Sequence, residues 1–359
     1  RLSRKAISLF GCTICVVLAF VYVIRPYKSL QRNTGEEVTV IHLATPIMGP
    51  TATTMAMTML KSIEYQVGRY THFKAGCTAP MILNHSQGDS SNVYFHHHIL
   101  TDDKTRKLLH GHFSAWNIGN IKPFYYDIEP VIEKAKRLST QHYGGYASLS
   151  KLWFPDILPK TVGKVILIDS DFIFMDDIRR LWNYLNKFNA EQIFGMVEEQ
   201  CTYYRKVFGK THLPDFPRGY NGGLVLMDIE KARSLGWNAL WSSVVTEEIE
   251  NIALPTGDQD IFNLLAHANK TVLFHLPCGW NMVVNFDDLP LCECAMVRVA
   301  DEALPNNTCE ANAIHFNSVK KPAFNDKQEL GSKLDRNMAQ PTTREAYLQL
   351  YRSTYLEYR

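Results

Sequence analysis

Short apolar runs alternate with amphipathic segments along most of the chain, and this alternation predicts an α/β fold. Residues 38–44 and 165–168 are mostly apolar runs of strand length, and residues 93–100 form a second predicted strand. Residues 51–67 show the helical period, with Met55, Met59, Ile63 and Val67 on one stripe. Further strands are predicted at 124–126, 193–197 and 223–227, and further helices at 101–109, 143–153 and 177–188. Strands that alternate with helices favour a mostly parallel sheet flanked by helices.

The first segment departs from this pattern. Residues 6–24 carry no charge and are just long enough to cross a hydrocarbon core as a helix. Three basic residues stand on each side, so the positive-inside rule does not decide the orientation. A cleaved signal peptide is the alternative, but the run is long and residues 23–26 offer no small-residue cleavage site. We therefore expect a short tail (1–5), a transmembrane signal anchor (6–24), a stem (25–37) and one domain (38–359).

Charge and cysteine usage indicate the compartment and exclude one class of partner. The net charge is only +2 and no long Lys/Arg run is present, so nucleic-acid binding is not expected. Three glycosylation sequons follow the apolar run, at Asn84, Asn269 and Asn306. Four of the eight cysteines crowd into residues 278–309, which is typical of a disulfide-stapled loop; a zinc site would need paired C-x₂-C spacings that are not there. These features predict a membrane-attached protein whose main domain lies in the secretory lumen.

Two carboxylates, Asp169 and Asp171, come directly after the apolar run 165–168. On a strand, residues two apart share a face with their Cα atoms about 6–7 Å apart, so both carboxylates could reach one hard divalent cation. The C-terminal end of a strand is also where open α/β sheets bind ligands. Taken alone, such a pair is more often a turn and a helix cap.

Three later motifs strengthen the metal interpretation. Asn221-Gly222-Gly223 enters a strand, where glycines permit a turn or let a ligand approach the backbone. Residues 258–260 (Asp-Gln-Asp) lie at the entry to a predicted helix, where a helix cap is the alternative. His315 could be a third metal ligand, with Lys321 six residues later to neutralise phosphate charge.

The histidines at 96–98 look like a metal cluster as well. Neighbouring side chains of a strand point to opposite faces, however, so these three cannot easily chelate one ion. We predict a structural role for them.

The four ordered motifs resemble retaining glycosyltransferases of family 8, and the resemblance spans residues 38–359. It implies a GT-A fold, a UDP-sugar donor and a bound Mn²⁺. By position, Asp169, Asp171 and His315 would hold the metal. Gln259 would lie beneath the anomeric carbon and act in catalysis together with Asp258. The other implied donor contacts are Leu43, Ala44, Thr45, Lys151, Ser170, Asn221, Gly222, Ser318 and Lys321.

Within that family, the chain is similar to the xylosyltransferase domains of the LARGE group. The similarity is carried by residues 149–152, 197–200, 218–221, 258–263, 276–281, 314–318 and 355–358. It implies UDP-xylose as donor, an α linkage, and an acceptor such as the glucuronic acid of a matriglycan-like chain. It also implies a single-pass type II protein of the Golgi membrane. Lys151 stands where many family members have an arginine, and Ser318 where many have a glycine.

Three alternatives remain open from the residues. A family 8 enzyme could use UDP-glucose or UDP-galactose instead, because no residue reveals a closed xylose site. A haloacid-dehalogenase-like phosphatase would use Asp169 as its nucleophile, yet this does not explain residues 221–223 or His315 with Lys321. The third alternative is a non-catalytic sugar-binding protein.

Overall fold

A computed structural model describes residues 38–68, 92–200, 204, 206–207, 213, 218–249, 254–283 and 311–317. The strands of these ranges are β1 (Thr39–Pro46), β2 (Val93–Thr101), β3 (Ile121–Asp127), β4 (Lys164–Ile168), β5 (Phe172–Phe174), β6 (Phe194–Glu198), β7 (Tyr220–Asp228), β8 (Leu273–His275), β9 (Met282–Val283) and β10 (Ala313–His315). The α-helices are α1 (Gly49–Gln66), α2 (Asp103–Trp116), α3 (Glu129–Ala135), α4 (Phe154–Ile157), α5 (Ile178–Trp182), α6 (Ile229–Ser234), α7 (Trp237–Ile249) and α8 (Asp258–Ala268). Strands and helices alternate, so the α/β prediction is confirmed.

Seven strands form one sheet in the order β3-β2-β1-β4-β7-β6-β8. Neighbours run parallel except at β7, which is antiparallel to both β4 and β6. The predicted mostly parallel sheet is therefore confirmed, with β3 at its edge. Because β7 is reversed, its first residues lie beside the last residues of β4, where Ile168 pairs with Leu224. This places the Asn-Gly-Gly segment next to the two aspartates.

Both faces of the sheet are covered, as expected for a sheet flanked by helices. On β4, Val165 and Leu167 pack into one apolar core, whereas Ile166 and Ile168 pack into the other. All four side chains are fully buried. This explains why β4 reads as a continuous apolar run, and it makes the end of β4 a rigid support for the residues that follow.

The helix predictions hold with shifted ends. In α1, Met55, Met59 and Ile63 are buried as the stripe required. The Asp102 carboxylate accepts from Thr105 N at 2.7 Å and caps α2, which continues to Trp116 instead of ending at Leu109. The predicted helix 143–153 is a 3₁₀ helix (Gly145–Trp153) that leads into α4, and the predicted helix 177–188 is α5 followed by a 3₁₀ turn (Asn183–Lys187).

The histidines at 96–98 point to alternate faces of β2, and their contacts fit a structural role. His97 is fully buried, with Nε2 3.0 Å from Thr45 Oγ1. On the other face, His98 Nε2 lies 3.0 Å from Nδ1 of His42 on β1. Burial lowers the pKa of His97 to about 3 and that of His98 to about 3. Both rings are therefore neutral packing elements.

Several sequence predictions fall outside the described residues. These are the tail, anchor and stem (residues 1–37), the sequons at Asn84 and Asn306, and Cys292, Cys294, Cys309, Ser318 and Lys321. The helices that the structure does describe include none with the length and apolarity needed to span a bilayer. The third sequon asparagine, Asn269, is exposed.

Candidate metal and donor site

Three potential metal ligands meet at the C-terminal end of β4. Asp169 and Asp171 occupy the short connection from β4 to β5, and His315 ends β10. Strand β10 pairs with β5 so that His315 lies opposite Phe172, and the two rings stack with centroids 4.3 Å apart. His315 Nε2 is 3.4 Å from Asp171 Oδ1 and 3.9 Å from Asp169 Oδ2. The chain thus brings together two carboxylates from one segment and an imidazole from a distant one.

The donor set of this group fits a divalent cation. Its three ligand atoms lie within 4.8 Å of one another, and no second group of this kind occurs among the described residues. Carboxylate oxygens suit Mg²⁺ and Mn²⁺, and a neutral imidazole can complete such a set. Asp171 and His315 are buried while Asp169 is partly exposed, so the group is open on one side.

Lys151 adds a buried positive charge beside the carboxylates. Its Nζ lies 2.6 Å from Asp169 Oδ1 and 3.6 Å from Asp258 Oδ2, and it donates to the Gly222 carbonyl at 2.7 Å. Burial by itself lowers the pKa of Lys151, but the negative charges of Asp169 and Asp258 outweigh burial and raise it. The amine therefore stays protonated and holds the two acidic segments together.

Asp258 is the first residue of α8 and faces Lys151 without capping the helix. The N-cap is Gly257, with φ +72°, and a Cβ there would meet Ser148 Oγ at 2.7 Å. Burial raises the pKa of Asp258 to about 7, against the opposing pull of Lys151. Its Oδ2 is buried, and apart from the Lys151 amine at 3.6 Å it has no hydrogen-bond donor among the described residues. This carboxylate oxygen is therefore available to a ligand hydroxyl.

Asp260, two residues on, has a different role. It accepts from Thr256 N at 2.8 Å and from the Thr256 hydroxyl, and it is fully buried. Burial raises its pKa to about 7 as well. Asp260 thus braces the loop before α8, which leaves Asp258 and Gln259 as the residues of this motif that face the candidate site.

The Asn-Gly-Gly segment lies inside β7 and makes no turn. A Cβ on Gly222 would come within 2.9 Å of the Gln259 Cβ, and a Cβ on Gly223 would overlap the His315 ring. The Gly222 amide donates to Gln259 Oε1 at 2.9 Å. The two glycines therefore let α8 and β10 approach the strand, and the alternative of a bare Asn-Gly turn is wrong.

Two buried polar residues of this region were missing from the predicted site. Glu199, just after β6, accepts from Asn221 Nδ2 at 2.7 Å and from Gln259 Nε2 at 3.0 Å, both at Oε2. Asn281 donates from Nδ2 to Asn221 Oδ1 at 2.9 Å, and its Oδ1 lies 3.1 Å from His315 Nδ1. Both residues belong to segments that carried the family resemblance, 197–200 and 276–281, and that was the available signal.

The remaining predicted donor residues have mixed placements. Leu43, Ala44 and Thr45 are fully buried near the end of β1, and Ser170 is buried between the two aspartates. Their proposed contacts with the donor stay predictions. Ser318 and Lys321 lie outside the described residues.

A family model described as Glycosyl transferase family 8 matches residues 57–325, which is most of the chain. The chain belongs to glycosyl transferase family 8. The resemblance on the ordered motifs is thereby confirmed, and the phosphatase alternative gains no support.

Curated relatives of the family 8 chain are LARGE proteins. It is 28% identical over 291 residues to xylosyl- and glucuronyltransferase LARGE2s of Danio rerio, covering 80% of this chain and 34% of the relative. It is 31% identical over 233 residues to the glycosyltransferase-like protein LARGE of Caenorhabditis elegans, covering 64% of this chain and 35% of the relative. This family 8 chain therefore spans about a third of the length of the curated relatives it matches.

Solved structures show the same fold at low sequence identity. Mouse xyloside xylosyltransferase 1 in its apo form aligns with a TM-score of 0.55 and 15% identity, covering 78% of this chain and 98% of that one. The galactosyltransferase LgtC, with donor and acceptor sugar analogues, aligns with a TM-score of 0.53 and 15% identity, covering 87% and 96%. These likenesses place the family 8 chain in the GT-A fold.

Proposed function

We propose that this chain is a retaining glycosyltransferase that moves a sugar from a UDP-sugar to a glycan acceptor with the help of Mn²⁺. The observation that carries the proposal is the meeting of Asp169, Asp171 and His315 beside the buried Lys151–Asp258 pair. Such an arrangement offers a cation site for a diphosphate and, next to it, a polar wall for a sugar. It is what a nucleotide-sugar donor requires.

On the phosphate side, the chain supplies ligands and positive charge. Asp169, Asp171 and His315 would hold the cation, which supplies charge neutralisation for the diphosphate leaving group. Lys151 is buried, charged and pre-positioned, so it would add a second positive charge without being reorganised. Lys321 and Ser318 would act near the phosphates, Ser170 beside the metal ligands, and Leu43, Ala44 and Thr45 against uridine.

On the sugar side, Asn221, Gly222, Asp258 and Gln259 would contact the donor. Both ends of the Gln259 amide are already engaged, by Gly222 N and by Glu199. An amide is a weak nucleophile, and this one is held as a fixed dipole. We therefore favour attack of the acceptor hydroxyl on the same face that the diphosphate leaves, with the diphosphate taking up the hydroxyl proton and Gln259 stabilising the positive anomeric centre.

Xylose is the donor sugar we favour, in α linkage. The support is the name of the LARGE relatives, xylosyl- and glucuronyltransferases, together with the motifs that this chain shares with their xylosyltransferase domains. The same likeness suggests glucuronic acid as the acceptor residue. UDP-glucose and UDP-galactose are the competing donors.

We further propose that the protein is a single-pass type II protein of the Golgi membrane. The uncharged run at residues 6–24 and the sequons that follow it support this. The expected result is a membrane-bound product that carries endoglycosidase-sensitive glycans. An unglycosylated cytosolic product would refute the topology.

The experiment is a panel of UDP-sugars with Mn²⁺, read by UDP release and followed by NMR of the product's anomeric coupling. Asp171→Asn, which removes one charged ligand and keeps the shape, should abolish transfer while leaving the fold intact. EDTA should do the same to the unaltered protein. Transfer that survives both treatments would contradict the assignment of Asp169, Asp171 and His315 as metal ligands. A β-linked product would contradict the retaining mechanism.

A further inference from the structure

A continuous line of hydrogen bonds connects the sugar side of the site to the metal ligand His315. It runs from Glu199 through Asn221 and Asn281 to the imidazole, and all four side chains are buried. A second branch runs from Glu199 to Gln259. Each member of the line can be assigned as donor or acceptor from its neighbours.

The direction of the hydrogen bonds, from donor to acceptor, can be followed from Glu199. Its Oε2 is the acceptor in both bonds, so the amides of Asn221 and Gln259 both turn their NH₂ groups towards it. The other ends of these amides confirm this orientation. Asn221 Oδ1 accepts from the Gly223 N–H at 2.9 Å, and Gln259 Oε1 accepts from the Gly222 N–H at 2.9 Å. A backbone N–H only donates, so an oxygen must face it.

The side-chain amide of Asn281 continues the same donor-to-acceptor direction towards His315. Because Asn221 presents Oδ1, Asn281 must donate to it from Nδ2, and its own Oδ1 then faces His315 Nδ1 at 3.1 Å. That oxygen only accepts, so the hydrogen of a neutral His315 ring must be on Nδ1. The bare nitrogen is then Nε2, which is the one directed at Asp169 and Asp171.

We infer that Glu199 is a positioning residue that acts together with the Gly223 N–H to set the direction of these hydrogen bonds, so that His315 presents an unprotonated Nε2 to the metal. The opposite direction would leave Nδ1 bare and place the hydrogen on Nε2. That nitrogen would then donate to Asp171 and could not bind a cation. Stacking on Phe172 fixes the plane in which the His315 ring lies.

The same side chain orients the Gln259 amide, so one buried carboxyl group orients residues on the metal side and on the sugar side. The inference deepens the proposed function and rests on it for the use of the metal. Partners that orient a ligating histidine typically change metal affinity by about 10–100-fold when they are removed.

The first test needs no metal and no substitution at Glu199. Long-range ¹H–¹⁵N spectra of the metal-free protein, with His315 assigned by comparison with His315→Gln, should show a pyrrole-type Nδ1 and a pyridine-type Nε2. A hydrogen on Nε2 would overturn the inference. This result stands even if the Glu199 variant fails to fold.

The second test uses Glu199→Gln, which keeps the shape but can either donate or accept. The Gly223 N–H still favours the original direction, so a minor Nε2–H form of His315 should appear beside the Nδ1–H form. The affinity for Mn²⁺, measured by titration calorimetry, should fall about tenfold or more. Glu198→Gln at the neighbouring position is the matched control and should leave both unchanged. If Glu199→Gln folds and keeps both the tautomer and the affinity, Glu199 does not set them.

The two proposals fail in different ways. A protein with the Nδ1–H tautomer and Mn²⁺ binding but no turnover of any UDP-sugar would contradict the transferase function alone. Turnover together with an Nε2–H tautomer would contradict only the role given to Glu199.

Discussion

Gly223 lies against the imidazole of His315 so closely that any side chain at this position would overlap the ring. Asp169 N also donates to the Gly223 carbonyl at 2.8 Å. One glycine therefore contacts both segments that supply the candidate metal ligands, the one with Asp169 and the one with His315. The missing side chain is what lets β10 reach the end of β4.

Gly223→Ala should therefore displace His315. We expect a loss of unfolding free energy of about 1–3 kcal/mol, which is typical of overpacking, and at least about a tenfold loss of Mn²⁺ affinity. Thermal melts and titration calorimetry measure the two effects. Gly111→Ala in α2 is the matched control, because a Cβ there meets nothing within 4 Å. Equal behaviour of the two variants would show that the close approach has no consequence.

Lys151→Met tests whether the buried lysine holds the acidic segments together in the absence of metal. Removing it leaves Asp169 and Asp258 uncompensated, and because Asp169 is partly exposed we expect a loss of only about 1–3 kcal/mol. Mn²⁺ should then stabilise the variant more than the unaltered protein, since the ion replaces the missing charge. Melting temperatures with and without Mn²⁺ decide this. Lys136→Met, which breaks an exposed 2.5 Å pair with Glu133, should change little.

Asp258→Asn tests the sugar side of the site. Its Oδ2, which faces Lys151 at 3.6 Å, should accept from a donor hydroxyl, so the variant should bind the UDP-sugar more weakly by roughly 1.5–3 kcal/mol. Binding of UDP alone should be unaffected, because the contact is to the sugar. Calorimetry with the two ligands separates these cases. An equal loss of affinity for UDP and for UDP-sugar would show that Asp258 acts on the phosphates and not on the sugar.

His97 should make the fold sensitive to acid. Its pKa is about 3 in the folded chain because it is buried, against the ordinary value of 6.5 in the unfolded chain. Between these values the unfolded chain binds a proton that the folded chain excludes, so stability falls as the pH is lowered from 6.5. The slope is at most about 1.4 kcal/mol per pH unit.

His97→Gln should flatten this dependence in urea unfolding measured between pH 7 and pH 5, relative to the unaltered protein. Asp258 and Asp260, with pKa values raised to about 7, act with the opposite sign but are present in both proteins. They therefore cancel in the comparison. The exposed His110→Gln is the control, and a slope that His110→Gln changes as much as His97→Gln does would contradict the assignment.

The sequence by itself determined the elements and the chemical classes of the site. The continuous apolar run of β4 marked a strand buried on both faces, and the stripe of Met55, Met59 and Ile63 marked a helix packed on the sheet. The ordered motifs were enough to indicate family 8, which the family model confirmed. Period and composition are local properties, so a single sequence carries them directly. Element ends were less well predicted, since α2 runs on to Trp116.

Only the tertiary structure decided which polar groups meet. The reversal of β7 put Asn221 beside the end of β4, and the pairing of β10 with β5 put His315 over Asp171. Glu199 and Asn281 lie in segments that carried the family resemblance, but neither has a hydrophobic period or spacing that marks it as part of the site. Their role depends on which amide faces which carboxylate across the sheet. Such contacts join segments that are far apart in the chain, and strand order and packing determine them. The hydrophobic period of a segment carries no information about which other segment lies beside it.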